Sequence, residues 1–160
     1  MEIRRATESD WAAVWTIIEP VIRAGETYTL DPDMTVEQAR AYWLGPYKET
    51  FVAEERGEVL GTYYMRPNQS GGGRHVCNCG YVTAAKASGR GVARQMCLHS
   101  LGYAKTRDYR AMQFNFVVST NERAVRLWQA LGFKTVGRLP LAFNHPREGY
   151  VDAFVMFRSL

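Results

Sequence analysis

The segment Tyr81 to Arg94 runs from a strand-like stretch through Lys86-Ala87-Ser88-Gly89-Arg90-Gly91 directly into an apolar-periodic stretch beginning at Val92. A helix start carries unpaired N–H groups and the positive end of the helix dipole, and glycines before it let an anion approach that backbone. Gly89, Arg90, Gly91, Val92, Ala93 and Arg94 therefore read as an anion cradle. The remaining chain has to say whose anion it is.

Along the chain, Glu2 to Arg5 reads as a first strand. Thr7 or Ser9 caps a helix whose apolar positions Trp11, Val14, Trp15 and Ile18 keep a 3.6-residue period, and Val21 and Ile22 carry that stripe past Pro20. Residues 24–33 are polar and aromatic, a candidate substrate loop or equally a plain helix-to-helix connection. Thr35 with Gln38 forms a capping box for a helix that runs to Trp43, before Gly45-Pro46. Phe51–Glu54 and Val59–Met65 flank a hairpin turn at Arg56-Gly57-Glu58, and His75–Thr83 follows the flexible loop 67–73. A helix over Val92–Thr106, a strand over Met112–Val118, a helix over Asn121–Leu131 and strands over Lys134–Val136 and Tyr150–Phe157 complete the order β-α-α-β-β-β-α-β-α-β-β. One α/β (α+β) domain over residues 1–160 is expected, since 46% hydrophobic and 22% charged residues are ordinary globular composition and no repeat breaks the chain.

The net charge of +4 suits an anionic partner, but Lys and Arg are spread evenly, so no nucleic-acid surface is expected. No apolar run approaches the roughly 20 residues that span a bilayer, so no membrane partner is expected, and without an apolar leader the expected compartment is cytoplasmic. Cys77 and Cys79 share one strand face and lack companion ligands at metal-site spacing, so they and Cys97 read as core packing with no metal. Monomer and homodimer both stay open.

Two motifs and the strand order now resemble the GCN5-related N-acetyltransferases over nearly the whole chain. The first is the glycine stretch, Ser88-Gly89-Arg90-Gly91-Val92-Ala93, against a family pattern of Arg or Gln, two residues, Gly, one residue, Gly or Ala. The second is Asn121-Glu122-Arg123-Ala124-Val125-Arg126-Leu127-Trp128-Gln129-Ala130-Leu131-Gly132-Phe133. A dinucleotide-binding fold is excluded by the missing third glycine and ribose-binding acid, and a P-loop by the missing Lys-Ser/Thr. The resemblance implies a mostly antiparallel mixed sheet that splays at the cofactor site, with helices on both faces, and acetyl-CoA as cofactor. Tyr81, Val82 and Thr83 would offer backbone to the pantetheine arm, Ser88 through Arg94 would cradle the pyrophosphate, and Asn121, Ala124 and Trp128 would line the second side. Two positions depart from the pattern. Ser88 replaces Arg or Gln, and Trp128 stands where the family's Tyr is often the general acid, a task beyond an indole N–H.

The resemblance implies direct attack of an amine on the thioester. His75 sits where some members keep a base, and Asn78 and Asn115, amides within apolar strands, either bridge strands or orient an amino-acid-like substrate. Short strings around His75–Asn78, Asn115, Val118–Asn121 and Gly149–Ala153 resemble a subgroup that includes fungal acetyltransferases acting on proline-analogue imino acids. Residues 139–150 are expected to wall a substrate pocket, with Arg147 pairing a carboxylate and Tyr150 beside it, while Glu26 and Tyr28 close the other side. The expected function is acetylation of a small amino-acid-like or imino-acid amine. The alternatives are a protein or peptide N-acetyltransferase, which predicts an open groove, and a catalytically silent acyl-CoA-binding module.

Overall fold

A computed structural model describes residues 1–160, and its strands join in one seven-stranded sheet. The strands are β1 (Glu2–Arg5), β2 (Glu49–Glu55), β3 (Glu58–Pro67), β4 (Val76–Thr83), β5 (Ala111–Val118), β6 (Lys134–His145) and β7 (Gly149–Ser159), ordered β1-β2-β3-β4-β5-β7-β6. Every pair is antiparallel except β4–β5. Arg56 (φ 54°) and Gly57 (φ 80°) turn β2 into β3, the paired positive angles that suit the twist of a two-residue hairpin.

Four helices cover the sheet: α1 (Trp11–Ala24), α2 (Val36–Trp43), α3 (Val92–Thr106) and α4 (Glu122–Ala130). α1 carries Pro20 within it and stops at Gly25, whose φ of 64° is the left-handed cap expected of glycine. Thr35 and Gln38 close the capping box of α2 reciprocally, at 3.2 and 2.9 Å. Neighbours on β3 point to opposite faces, which places the helices. Tyr64 packs edge-on against Trp43 of α2, while Tyr63 meets His99 of α3. Trp128 of α4 meets Tyr81, the register partner of Tyr63, and so lies on the α3 face. The buried core threads both faces through Trp43, Leu60, Tyr63, Met65, Met96 and Met112. No helix is long and apolar enough to cross a membrane.

One expectation is corrected. β6 extends from Lys134 to His145, far beyond Val136, so most of residues 139–150 form a strand hairpin with β7 in place of an irregular pocket wall. Pro140 is tolerated because β6 is the sheet edge, where its missing N–H costs no ladder bond. Register shifts at Thr135/Gly137 and Leu139/Phe143 erase the alternation that would reveal the strand.

Asp10 ties the first strand to the first helix. Its carboxylate accepts from Arg4 Nη1 and Nη2 at 2.9 and 2.8 Å and from the Thr7 N–H at 2.7 Å, while Arg4 also grips Glu54 of β2. The Arg4 guanidinium, followed by the Thr7 bonds, holds the Asp10 carboxyl well below the usual carboxylate range despite burial. A carboxyl depressed in the folded state contributes stability that is complete above the unfolded value near 4 and lost as pH falls through the folded value. Asp10→Asn should therefore lower unfolding free energy at pH 7 by about 2 kcal/mol and flatten the loss of stability below about pH 4, read by urea titrations across pH.

Candidate active site

β4 and β5 are joined by only two register pairs, Val76 with Ala111 and Cys77 with Met112, although β4 stays paired with β3 as far as Thr83. Past Cys77 the two parallel strands part. The His75 C=O accepts from the Arg110 N–H on the β5 side, whereas Val76 C=O and Ala84 N–H bond on the β3 side, to Asn68 and Leu60. Strand alternation then turns the backbone of Cys79, Tyr81 and Thr83 toward the gap. Val82, expected to offer backbone there, turns its N–H and C=O to β3 instead, and Cys79 turns its backbone to the gap.

The gap opens into a cleft of about 820 Å³ that runs from the N-terminus of α3 to the far end of β3. At the α3 end, Gly89 (φ 82°) and Gly91 (φ 78°) hold left-handed conformations, and a Cβ on either would project into open space. Gly91 is the N-cap of α3, so the N–H groups of Val92, Ala93 and Arg94 face an accessible hollow suited to a pyrophosphate. Ser88 Oγ accepts a hydrogen bond from Arg123 Nη1 at 2.6 Å, and both residues line the cleft. The guanidinium absent from position 88 is thus brought by the N-terminus of α4. Asn121 Oδ1 caps that helix through the Ala124 N–H at 3.3 Å, and both residues line the same wall. Open glycines, free helix N–H groups, Arg94 and Arg123 in the lining and unpaired strand backbone fit the phosphates and amides of a CoA-type cofactor.

Trp128 is buried at the floor of the cleft against Tyr81, Phe114 and Phe133, with centroids 5.1, 5.0 and 6.4 Å away. The Tyr81 hydroxyl is bound to Ser100 at 2.7 Å, and burial pushes it far above an ordinary phenol.

Toward the opposite end, Tyr28, Tyr42, Tyr64, Arg66, Asn78 and Asn115 line the cleft. Gly80 permits the Tyr64 ring to lie on β4, since a Cβ there would sit 2.7 Å from its Cε1. The Tyr64 and Tyr42 hydroxyls are 3.2 Å apart. Tyr28 donates its O–H to the Tyr81 carbonyl at 3.0 Å, and burial raises the Tyr28 and Tyr64 phenols far above their ordinary value. Asn78 donates Nδ2 to the Gln113 carbonyl at 2.9 Å, bridging β4 to β5 at the point of parting, while Asn115 bonds to Gln113 and Asn68 at 2.9 and 2.7 Å.

Several expected site residues lie elsewhere. His75 is exposed, just before β4, and does not line the cleft. Arg90 pairs with Glu55 at 2.5 Å, outside the cradle. Arg147 pairs with Glu26 at 2.6 Å, and neither lines the cleft, so the two residues expected to wall the substrate neutralise each other instead. Tyr150 is 68% exposed on the β6–β7 hairpin, away from the cleft. Tyr42, Tyr64, Arg66, Cys79 and Arg123 were missed. The signal for Tyr64 and Arg66 was available, because two residues apart on one strand they share the face that α2 covers.

The acetyltransferase (GNAT) family matches residues 11–133. The N-acetyltransferase aca1 of Schizosaccharomyces pombe is 28% identical over 151 residues, covering 84% of this chain and 72% of the other. A GCN5-related N-acetyltransferase structure from Kribbella flavida is 45% identical, covers 99% of this chain and 97% of its own, and superposes with a TM-score of 0.95. The phosphinothricin acetyltransferase of Sinorhizobium meliloti, solved with AcCoA, shares the fold at 19% identity and a TM-score of 0.87, covering 99% and 88% of the two chains.

Two substitutions test the cradle. Gly91→Glu forces a side chain onto a left-handed backbone and sets a negative charge against the phosphate site, so calorimetry should detect no acetyl-CoA binding. Arg123→Ala should weaken binding by about tenfold at low ionic strength, with a smaller deficit in high salt.

Proposed function

The chain belongs to the acetyltransferase (GNAT) family, and from that premise we propose that it acetylates the amine of a small amino-acid-like or imino-acid acceptor. Acetyl-CoA, the donor of these enzymes, supplies the electrophilic thioester. The observation that carries the choice of acceptor is the roof over the far end of the cleft. The loop between α1 and α2 is tied down at several points: Arg23 Nη1 holds the Pro32 and Met34 carbonyls at 2.5 and 2.7 Å, Glu26 pairs with Arg147, and Tyr28 bonds to the Tyr81 carbonyl. A tethered roof above aromatic walls suits a small molecule, whereas a peptide needs an open groove.

The residues around the acceptor position it while leaving water access to its amine. No carboxylate or imidazole lines the cleft, so the amine reacts as the neutral form drawn from solution and surrenders its proton to water after attack. Cys79 is the thiol in the cleft. Burial pushes it well above its ordinary value, so it stays protonated and is a poor nucleophile, which supports direct transfer over an acyl-enzyme. The amide groups of Asn78 and Asn115 keep the strand ends in place and present polar edges to the acceptor.

Coenzyme A release should be measured with single amino acids, imino acids and peptides bearing free N-termini. The kcat/KM for the best single acceptor should exceed that for peptides by at least about tenfold; a preference for peptides would overturn this acceptor class. kcat/KM should rise with pH until the acceptor's own amine pKa is reached, and His75→Ala should leave that profile unchanged. An acid limb that disappears in His75→Ala would restore His75 as the base.

A further inference from the structure

Arg66 is a half-buried cation that lines the cleft and takes part in none of the chain's ion pairs. Its one side-chain hydrogen bond runs from Nε to Asn78 Oδ1 at 3.4 Å, which leaves both terminal nitrogens without a protein acceptor. A second cation stands behind it. Lys48 Nζ lies 3.3 Å from the centre of the Tyr42 ring and 4.2 Å from that of Tyr64, and donates to the Tyr42 carbonyl. Burial, reinforced by the charge of Arg66, lowers the Lys48 ammonium to about 8. Two like charges with no acid between them are unfavourable in the free protein and favourable once an anion enters.

The position of this charge separates it from the phosphate cradle. Gly61 pairs with Thr83, where β4 leads to the cradle, and Arg66 pairs with Asn78, five residues further along β3. At strand spacing that is about 17 Å from the cradle end, so Arg66 serves the acceptor. We infer that Arg66 binds a carboxylate of the acceptor through its two terminal nitrogens, while Asn78 fixes the guanidinium plane at Nε. The inference rests on the N-acetyltransferase reading of the same cleft and narrows it. The acceptor carries its carboxylate close to its amine, as α-amino and imino acids do. Polyamines and lysine side chains within peptides lack that group. A planar fork held at one nitrogen meets a carboxylate edge-on with two parallel bonds, which fixes orientation as well as charge.

Matched pairs decide it: glycine, alanine and proline against their amides, with rates referred to the neutral-amine fraction of each. Wild-type kcat/KM should favour the acids by on the order of 10²-fold, and Arg66→Met should collapse that ratio toward unity, with Arg66→Lys recovering part of it. Acetyl-CoA affinity should match wild type, and the thermal midpoint should not fall, since Arg66→Met removes a charge that repels Lys48. A second arm needs no turnover: calorimetric titration of each acid into protein saturated with CoA should show binding that Arg66→Met weakens by a similar factor. Equal wild-type rates on acids and amides, or an unchanged ratio in Arg66→Met, would overturn the carboxylate site and leave the transferase reading standing. If wild type acetylates no acceptor, the transferase reading fails, and calorimetry alone decides Arg66: acid binding lost in Arg66→Met supports the site, and binding unchanged in Arg66→Met removes it.

Discussion

A parallel strand pair that stops after two residues governs this molecule. β4 stays paired with β3 along its length while its other side loses its partner after Cys77. An unpaired peptide group withdrawn from water costs about 1–3 kcal/mol, and the surrounding residues respond to that cost. Tyr28 satisfies the Tyr81 carbonyl, and Asn78 satisfies the Gln113 carbonyl across the fork. Trp128, Phe114 and Tyr81 fill the space beneath with rings that have no backbone to offer. The groups left over are the ones an amide-bearing cofactor arm can pair with, so the defect in the sheet and the binding site are one feature.

The parts of this arrangement that were legible in the sequence are local ones. A strand, two glycines at left-handed angles and a helix start follow each other within fourteen residues, Tyr81 to Arg94, and their chemistry follows from backbone geometry alone. Thr35 with Gln38, and Asn121 capping α4, are equally local. β6 beyond Val136 was illegible for a physical reason: an edge strand need not alternate strictly, can accommodate Pro140, and is interrupted by two register shifts. The exchange of Val82 for Cys79 has a similar origin, because the direction of a peptide group depends on the register with β3, which no residue type encodes.

Charge was the least legible property. Every arginine looks alike in a sequence, and what separates them is the acid that the fold places beside each. Glu26 claims Arg147 and Glu55 claims Arg90, which removes both from the roles their neighbours suggested. Arg123 and Arg66 meet only a hydroxyl and an amide oxygen, so their charge stays available to the cleft. These two guanidiniums stand near opposite ends of one cavity, so positive charge is on offer to an anion at either end.

The missing tyrosine at Trp128 fits the same economy of charge. The buried phenols of Tyr28, Tyr64 and Tyr81 are raised far above the ordinary value by burial, so they hold their protons and act as hydrogen-bond donors or acceptors, never as acids near neutrality. A departing thiolate with an ordinary pKa of about 8.5 is already a stable leaving group in water, so the reaction does not require a proton donor at position 128. An indole at position 128 then serves the chemistry by packing. It packs against Tyr81 of β4 and Phe114 of β5, filling the space beneath the point where the two strands part.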